Sequence, residues 1–103
     1  MESRFEWDSA KAAANRKKHG VSFKEAITVF DDPDRLLSPD PWHSTVEEIR
    51  ELVIGTSDLK RQLLVVYTER DSGLTRVISA RRATPQERKR YYENQAKNRK
   101  AGH

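Results

Sequence analysis

Arginine is the side chain best suited to gripping a phosphate, because its planar fork stays charged and presents parallel donors to two oxygens at once. Arg50, Arg70, Arg81 and Arg82 stand in or beside apolar runs that read as strands, so a sheet can carry their guanidinium groups on a surface. Arg81 and Arg82 alternate along one strand; Arg81 is taken to face the site and Arg82 the helices or a partner. Lys18-His19-Gly20 adds a cation and an imidazole, which changes charge near neutral pH and can take or give a proton. The last turn of a helix before a glycine also favours Lys and His for capping reasons alone, so both readings of the pair stay open. Glu48 and Glu69 lie beside arginines and can act as acid or base, or only as counter-ions. His43, in a Pro-flanked loop, and terminal His103 are read as incidental. Together these groups suit the binding and cleavage of a phosphodiester.

Elements must bring such residues together. Asp8 can cap a helix over residues 9–18, closed by Gly20. Ser22 and Glu25 form a capping box for a second helix, in which Phe23, Ala26, Ile27 and Phe30 make one apolar stripe until Asp31-Asp32-Pro33 stops it. Arg4 to Trp7 reads as a short strand. Runs 35–38, 48–55, 62–70 and 74–82 are then Leu, Val, Ile and Tyr-rich, with turn signals between them, and predict an antiparallel meander. A third helix opens at Thr84, with Pro85 at its first position and Glu87 closing another box. The expectation is an α+β domain: an antiparallel sheet of about four strands, two N-terminal helices and one C-terminal helix, all covering one face. Residues 1–93 would form this domain and 94–103 a basic, flexible tail.

With Ser72-Gly73 as a two-residue hairpin loop, cross-strand partners have numbers summing to 145. Leu63, Val65, Tyr67, Ile78 and Ala80 then share the helix-covered face, and Leu64, Val66, Thr68, Arg70, Thr75, Val77, Ser79 and Arg81 the open one. Arg76 falls opposite Glu69 as a surface pair and is left out of the site. Of Tyr91 and Tyr92, one should pack on the sheet and the other, taken as Tyr92, stay available for stacking against a base.

Composition narrows the classes further. A chain of 103 residues with no cysteine has no thiolate metal site, disulfide or cysteine nucleophile. Residues 1–51 hold 8 basic and 11 acidic side chains, residues 52–103 hold 12 and 5, so the second half carries most of the positive surface. A polyanion partner fits, nucleic acid being the commonest. No apolar run suggests a membrane span or secretion signal, and a cytoplasmic, membrane-free protein is expected. Asp31, Asp32, Asp34 and Asp40 match no metal-loop spacing and read as a solvated turn, with a basic partner segment as their one suggested use. No cofactor or metal is expected.

Several stretches resemble the BrnT family of bacterial type II toxins, within the wider RelE-like ribonuclease fold. They are Phe5-Glu6-Trp7-Asp8, Asn15 with Lys18-His19-Gly20-Val21-Ser22-Phe23, Val29-Phe30-Asp31-Asp32-Pro33, Glu48 and Arg50 before Ile54-Gly55, residues 63–70, residues 78–84, and Glu87-Arg88 with Tyr91. The family usually has Gly-Arg before its long central strand; here Lys60-Arg61 stands there, with Arg61 in the arginine's place. The resemblance implies an endoribonuclease that needs no metal, acting on mRNA with or without the ribosome. Its antitoxin would be of the BrnA type, whose DNA-binding domain alone contacts operator DNA. In such a mechanism the 2′-hydroxyl attacks the adjacent phosphate. Lys18, His19, Arg50, Glu69, Arg70 and Arg81 are the candidate catalytic residues, and Lys60, Arg61, Arg82 and Tyr92 the candidate substrate-binding ones. The rival reading is a non-catalytic module of the same fold that binds nucleic acid or antitoxin.

Overall fold

Helix boundaries follow the caps. Asp8 accepts a hydrogen bond from the Lys11 N–H at 2.8 Å and starts α1 (Ser9–His19); Gly20, at φ 69°, ends it by donating to Arg16 O. Ser22 accepts from the Glu25 N–H at 3.1 Å and starts α2 (Phe23–Ala26). The second helix is shorter than its stripe predicts. At the β-branched run Ile27-Thr28-Val29 it tightens into a 3-10 turn (Ile27–Asp31), with the Thr28 hydroxyl donating back to Glu25 O at 2.6 Å. Thr84 and Glu87 form a full, reciprocal capping box for α3 (Pro85–Ala101).

Between the helices lie β2 (Leu36–Pro39), β3 (Arg50–Thr56), β4 (Gln62–Glu69) and β5 (Thr75–Arg82), after β1 (Phe5–Glu6) near the amino terminus. The computed structural model describes residues 4–41 and 44–101. The sheet has five strands in the order β1-β5-β4-β3-β2, and it is mixed rather than purely antiparallel: β1 runs parallel to β5, pairing Phe5 with Thr75 and Glu6 with Arg76. The helices after β1 carry the chain away before the meander begins, so this short strand joins an edge in the direction they leave it.

The predicted register holds from Leu63↔Arg82 to Val66↔Ser79 and then slips by one, giving Tyr67↔Val77, Thr68↔Arg76 and Glu69↔Thr75. Ile78 is the extra residue of a β-bulge, and it exchanges faces with Val77. Leu63, Val65, Tyr67, Val77 and Ala80 pack with Val53 against Val21, Phe23, Ala26 and Val29. Ile78 joins Ile54, Leu64 and Val66 on the other face, where Tyr91 of α3 covers them. The helices therefore occupy both faces, because Tyr91 and Ala83 supply apolar surface that only the second sheet face can bury. Arg76 accordingly lies opposite Thr68, not Glu69, and donates to Glu6 of the neighbouring strand at 2.8 Å.

Helix α3 continues through Ala101, with Asn94 donating to Asp34 O at 3.3 Å and Gln95 to Asp34 Oδ2 at 3.0 Å. Among the described residues no helix is long and apolar enough to cross a membrane.

Two close contacts lock the layers. A Cβ on Gly55 would meet the Val29 Cβ at 3.0 Å, so the glycine lets β3 pass directly against the 3-10 turn. On the other side, β1 pairs β5 only at Thr75 and Arg76, which leaves the upper part of β5 without a neighbour strand on the edge away from β4. Buried Asn15 of α1 fills that role. Its amide donates to Ala80 O at 2.9 Å and to Val21 O at 3.0 Å, while its carbonyl accepts from Ala80 N at 3.1 Å. One side chain thus satisfies a strand edge as another strand would. Asn15→Ala should lower the unfolding free energy by about 2–3 kcal/mol in urea titration, since it strands buried backbone groups; a loss below about 0.5 kcal/mol would show that these bonds do not hold α1 to the sheet.

Candidate functional site

Strand direction decides which candidate residues can meet. Strands β3 and β5 begin, and β4 ends, at one rim of the sheet; this lower rim carries Arg50, Glu69 and Arg70. Lys60, Arg61, Arg81 and Arg82 stand at the opposite, upper rim, and Lys18 and His19 end the helix that leads to Gly20, whose carbonyl Arg61 contacts there. The eight residues of β4 separate the two rims, about 23 Å over seven steps at the usual strand rise. The residues expected to act together on one phosphodiester are therefore not one site.

The lower rim is a poor place for a polyanion. Arg50 Nε is paired with Glu48 Oε1 at 2.9 Å, Arg76 with Glu6 at 2.8 Å, and Arg70 Nε lies 3.8 Å from the same Glu6 oxygen. A cleft of about 460 Å³ opens here, in which Glu47, Glu48, Glu51, Glu69 and Asp71 surround Arg70. The Glu69 carboxylate accepts from the Thr75 hydroxyl at 3.1 Å. Five carboxylates around one guanidinium repel phosphate.

Arg81 is also engaged, on the α3 face. Its two Nη groups donate to the two oxygens of Glu87 at 2.8 and 2.9 Å. That hydrogen bonding holds the Glu87 carboxyl below the ordinary carboxylate range and raises Arg81. The fork that would grip a phosphate instead fastens the end of β5 to the first turn of α3. Tyr91 packs, as one tyrosine was expected to, with its hydroxyl donating to Asp32 Oδ2 at 2.5 Å; burial, then that bond, pushes it up to about 12. Tyr92, 49% exposed, stands edge-on to it.

The upper rim differs in sign and in construction. The last turn of α1 supplies Arg16, Lys17, Lys18 and His19, the β3–β4 turn supplies Lys60 and Arg61, and β5 ends in exposed Arg82. Neither Lys18 nor His19 makes a side-chain hydrogen bond to any described residue. Beneath these cations lies Glu25, its side chain 4% exposed. Glu25 Oε2 accepts from Arg61 Nε at 2.9 Å and from the Ser57 hydroxyl at 2.6 Å, while Oε1 accepts from Arg61 Nη2, which also reaches Gly20 O at 3.2 Å. The capping box accounts for Glu25 in the sequence, yet only its N–H serves the cap; its carboxylate turns inward to a residue 36 positions away. No local spacing marks that contact. The Arg61 hydrogen bonds hold the Glu25 carboxyl below its ordinary value; burial opposes them, and Ser57 and the charges of Arg61 and Arg82 assist.

Lys60 has a φ of 63°, the one positive φ outside glycine among the described residues. This is the position where the resembled family carries glycine, and left-handed backbone explains that preference.

Within the acidic cluster Asp31 is exposed, as a solvated turn predicts, whereas the others are engaged. Asp32 Oδ2 accepts from Thr56 N at 2.8 Å as well as from Tyr91, Oδ1 accepts from Asp34 N at 2.9 Å, and Asp40 is buried. Among the described residues no three His, Asp or Glu side chains converge as metal ligands. His43 and His103 lie outside the described residues.

A family model described as "Ribonuclease toxin, BrnT, of type II toxin-antitoxin system" matches residues 7–87. Among solved structures, the fold is similar to the 1.1 Å crystal structure of the Brucella abortus ribonuclease toxin BrnT, with a TM-score of 0.55 and 24% identity over 76% of this chain and 92% of that one. No curated protein matches.

Two measurements test the rim's construction. A carboxyl with a depressed folded value stabilises the fold above its unfolded value, near 4.5 here, and that contribution is lost as pH falls through the folded value. Urea stability of the native chain should therefore fall more steeply below about pH 5 than that of Glu25→Gln, which has no proton to gain; parallel curves would show that the pair contributes nothing. Lys60→Gly should raise stability by about 0.5–1 kcal/mol by relieving left-handed strain, and a lowered urea midpoint would contradict this.

Proposed function

Because the chain belongs to the BrnT family of ribonuclease toxins from type II toxin–antitoxin systems, we propose that it cleaves RNA without a metal at the upper rim, by attack of a ribose 2′-hydroxyl on the adjacent phosphate. The observation that carries this reading is the Arg61 fork: two of its nitrogens are held by a buried carboxylate, while Nη1 makes no hydrogen bond to any described residue. A guanidinium fixed in this way can meet a phosphate with little further ordering.

Each group then has a task. Arg61, with Arg82 and Lys60, binds the phosphate and the charge that grows on its oxygens during attack. His19 moves the proton from the 2′-hydroxyl or to the leaving oxygen, with Lys18 beside it to hold the strand's phosphates. Tyr92 and the cations of α3 extend the track for neighbouring nucleotides by stacking and charge. Arg50, Arg70, Glu69 and Arg81 fall outside this centre; their ion pairs and hydrogen bonds brace the sheet and its junction with α3.

The family implies an antitoxin and an RNA substrate. We propose that the antitoxin is of the BrnA type, that it alone contacts operator DNA, and that the substrate is cytoplasmic mRNA, on a RelE-like fold. The test is antitoxin-free protein incubated with RNA in EDTA. Cleavage is expected, and Arg61→Ala should slow it by about 30- to 100-fold, the scale of one charge-assisted phosphate contact. His19→Ala should cost about 100-fold, whereas Arg70→Ala should stay within about threefold of the parent. RNA binding without cleavage, with or without divalent metal, would leave the non-catalytic module standing instead.

A further inference from the structure

We infer that Glu25 is a positioning residue for RNA binding: its buried carboxylate fixes the Arg61 fork directly, and the turn that carries it through the Ser57 hydroxyl, so that Arg61 turns its open edge to a phosphodiester. This rests on the upper-rim reading above and assigns that rim's geometry to a residue that touches no substrate.

The hydrogen bonds form one chain from the carboxylate outward. Oε2 takes two donors, Ser57 Oγ at 2.6 Å and Arg61 Nε at 2.9 Å. Ser57 Oγ in turn accepts from the N–H groups of Leu59 at 3.2 Å and Arg61 at 3.3 Å. The Ser57 backbone closes the same turn, its N–H donating to Arg61 O at 2.8 Å and its carbonyl accepting from Lys60 N at 2.9 Å. The turn that forces Lys60 to φ 63° is therefore pinned at Ser57, and Ser57 is pinned to Glu25.

Stability alone is a weak explanation for this arrangement. A buried ion pair gains little over well-packed apolar side chains, because desolvating the two charges offsets their attraction. A pairing that also leaves one donor edge free is suited to orienting it. Arg81 offers the contrast within the same protein: both its Nη groups are taken by Glu87, and Nη1 also donates to Arg82 O at 3.2 Å. At Arg61 the carboxylate takes Nε and Nη2 and leaves Nη1. The Arg61 side chain is 26% exposed while that of Glu25 is 4% exposed, so the pair is anchored from beneath and open from above.

The experiment measures KM and kcat for cleavage of a short RNA, and Kd for its 2′-O-methyl analogue, which has no attacking hydroxyl. Glu25→Gln keeps the shape and removes the charge. It should raise KM and Kd about tenfold, near 1.4 kcal/mol, with kcat within about threefold. The same rise should occur in Arg61→Ala, and the double variant should be no worse than Arg61→Ala, since both changes remove one interaction. Unchanged KM and Kd in Glu25→Gln, or effects that multiply in the double variant, would overturn the inference. If Arg61→Ala itself changes neither constant, the upper-rim reading fails instead. Should Glu25→Gln not fold, Ser57→Ala weakens the same support of Arg61: it should raise KM about threefold, and not at all in an Arg61→Ala background, while an unchanged KM overturns the relay.

Discussion

A carboxylate taken out of water must be matched by donors, and in this protein the match for Glu25 ties three elements together. Its helix supplies the carboxylate, the β3–β4 turn supplies Ser57 and Arg61, and Arg61 reaches on to the Gly20 carbonyl at the end of α1. Removing any one donor leaves a buried charge short of a partner, which is far more costly than losing a surface pair. The position of the second helix, the shape of the turn and the direction of the Arg61 fork are thus set by one electrostatic requirement. The resulting surface is positive although its foundation is an acid.

Charge along the chain and charge in space tell different stories. The second half of the sequence holds most of the excess cations, but its antiparallel strands divide them between the rims, Arg70 and Arg76 at one and Arg61, Arg81 and Arg82 at the other. At the lower rim they meet carboxylates of the β2–β3 segment and the β4–β5 turn and are neutralised. At the upper rim they meet the basic last turn of α1 and add to it. A polyanion responds to the local field rather than to the net charge, so the two rims are not equivalent to it.

The two cores are held in register by similar economy of means. Asn15 stands in for a missing strand beside Ala80, and Asp32 ties the 3-10 turn to both β3 and α3 through the Thr56 N–H and the Tyr91 hydroxyl. Helix α3 is strongly polar, and of its residues Tyr91 is buried at 2% exposure. Beside that buried ring, these directional bonds and the Arg81–Glu87 fork attach it to the sheet.

The sequence by itself determined what is local. Helix starts at Asp8, Ser22 and Thr84, the glycine stop at Gly20, the strand runs, the upper half of the β4–β5 register and the packing of one tyrosine all follow from neighbours a few residues apart. Caps, turns and periodicity act over that range. The family resemblance was legible for the same reason, since it is carried by short stretches in order. What lay beyond reach was set by contacts far apart in the chain. Nothing near Ile78 announces the bulge that swaps it with Val77, and nothing near Tyr91 says which face of the sheet α3 will cover. Arg81 reads as a phosphate grip until Glu87 is seen to occupy it. Glu25 reads as a cap until the fold brings Arg61 to it across 36 residues. Which charges are free and which are spent depends on partners in space, and tertiary structure alone chooses those partners.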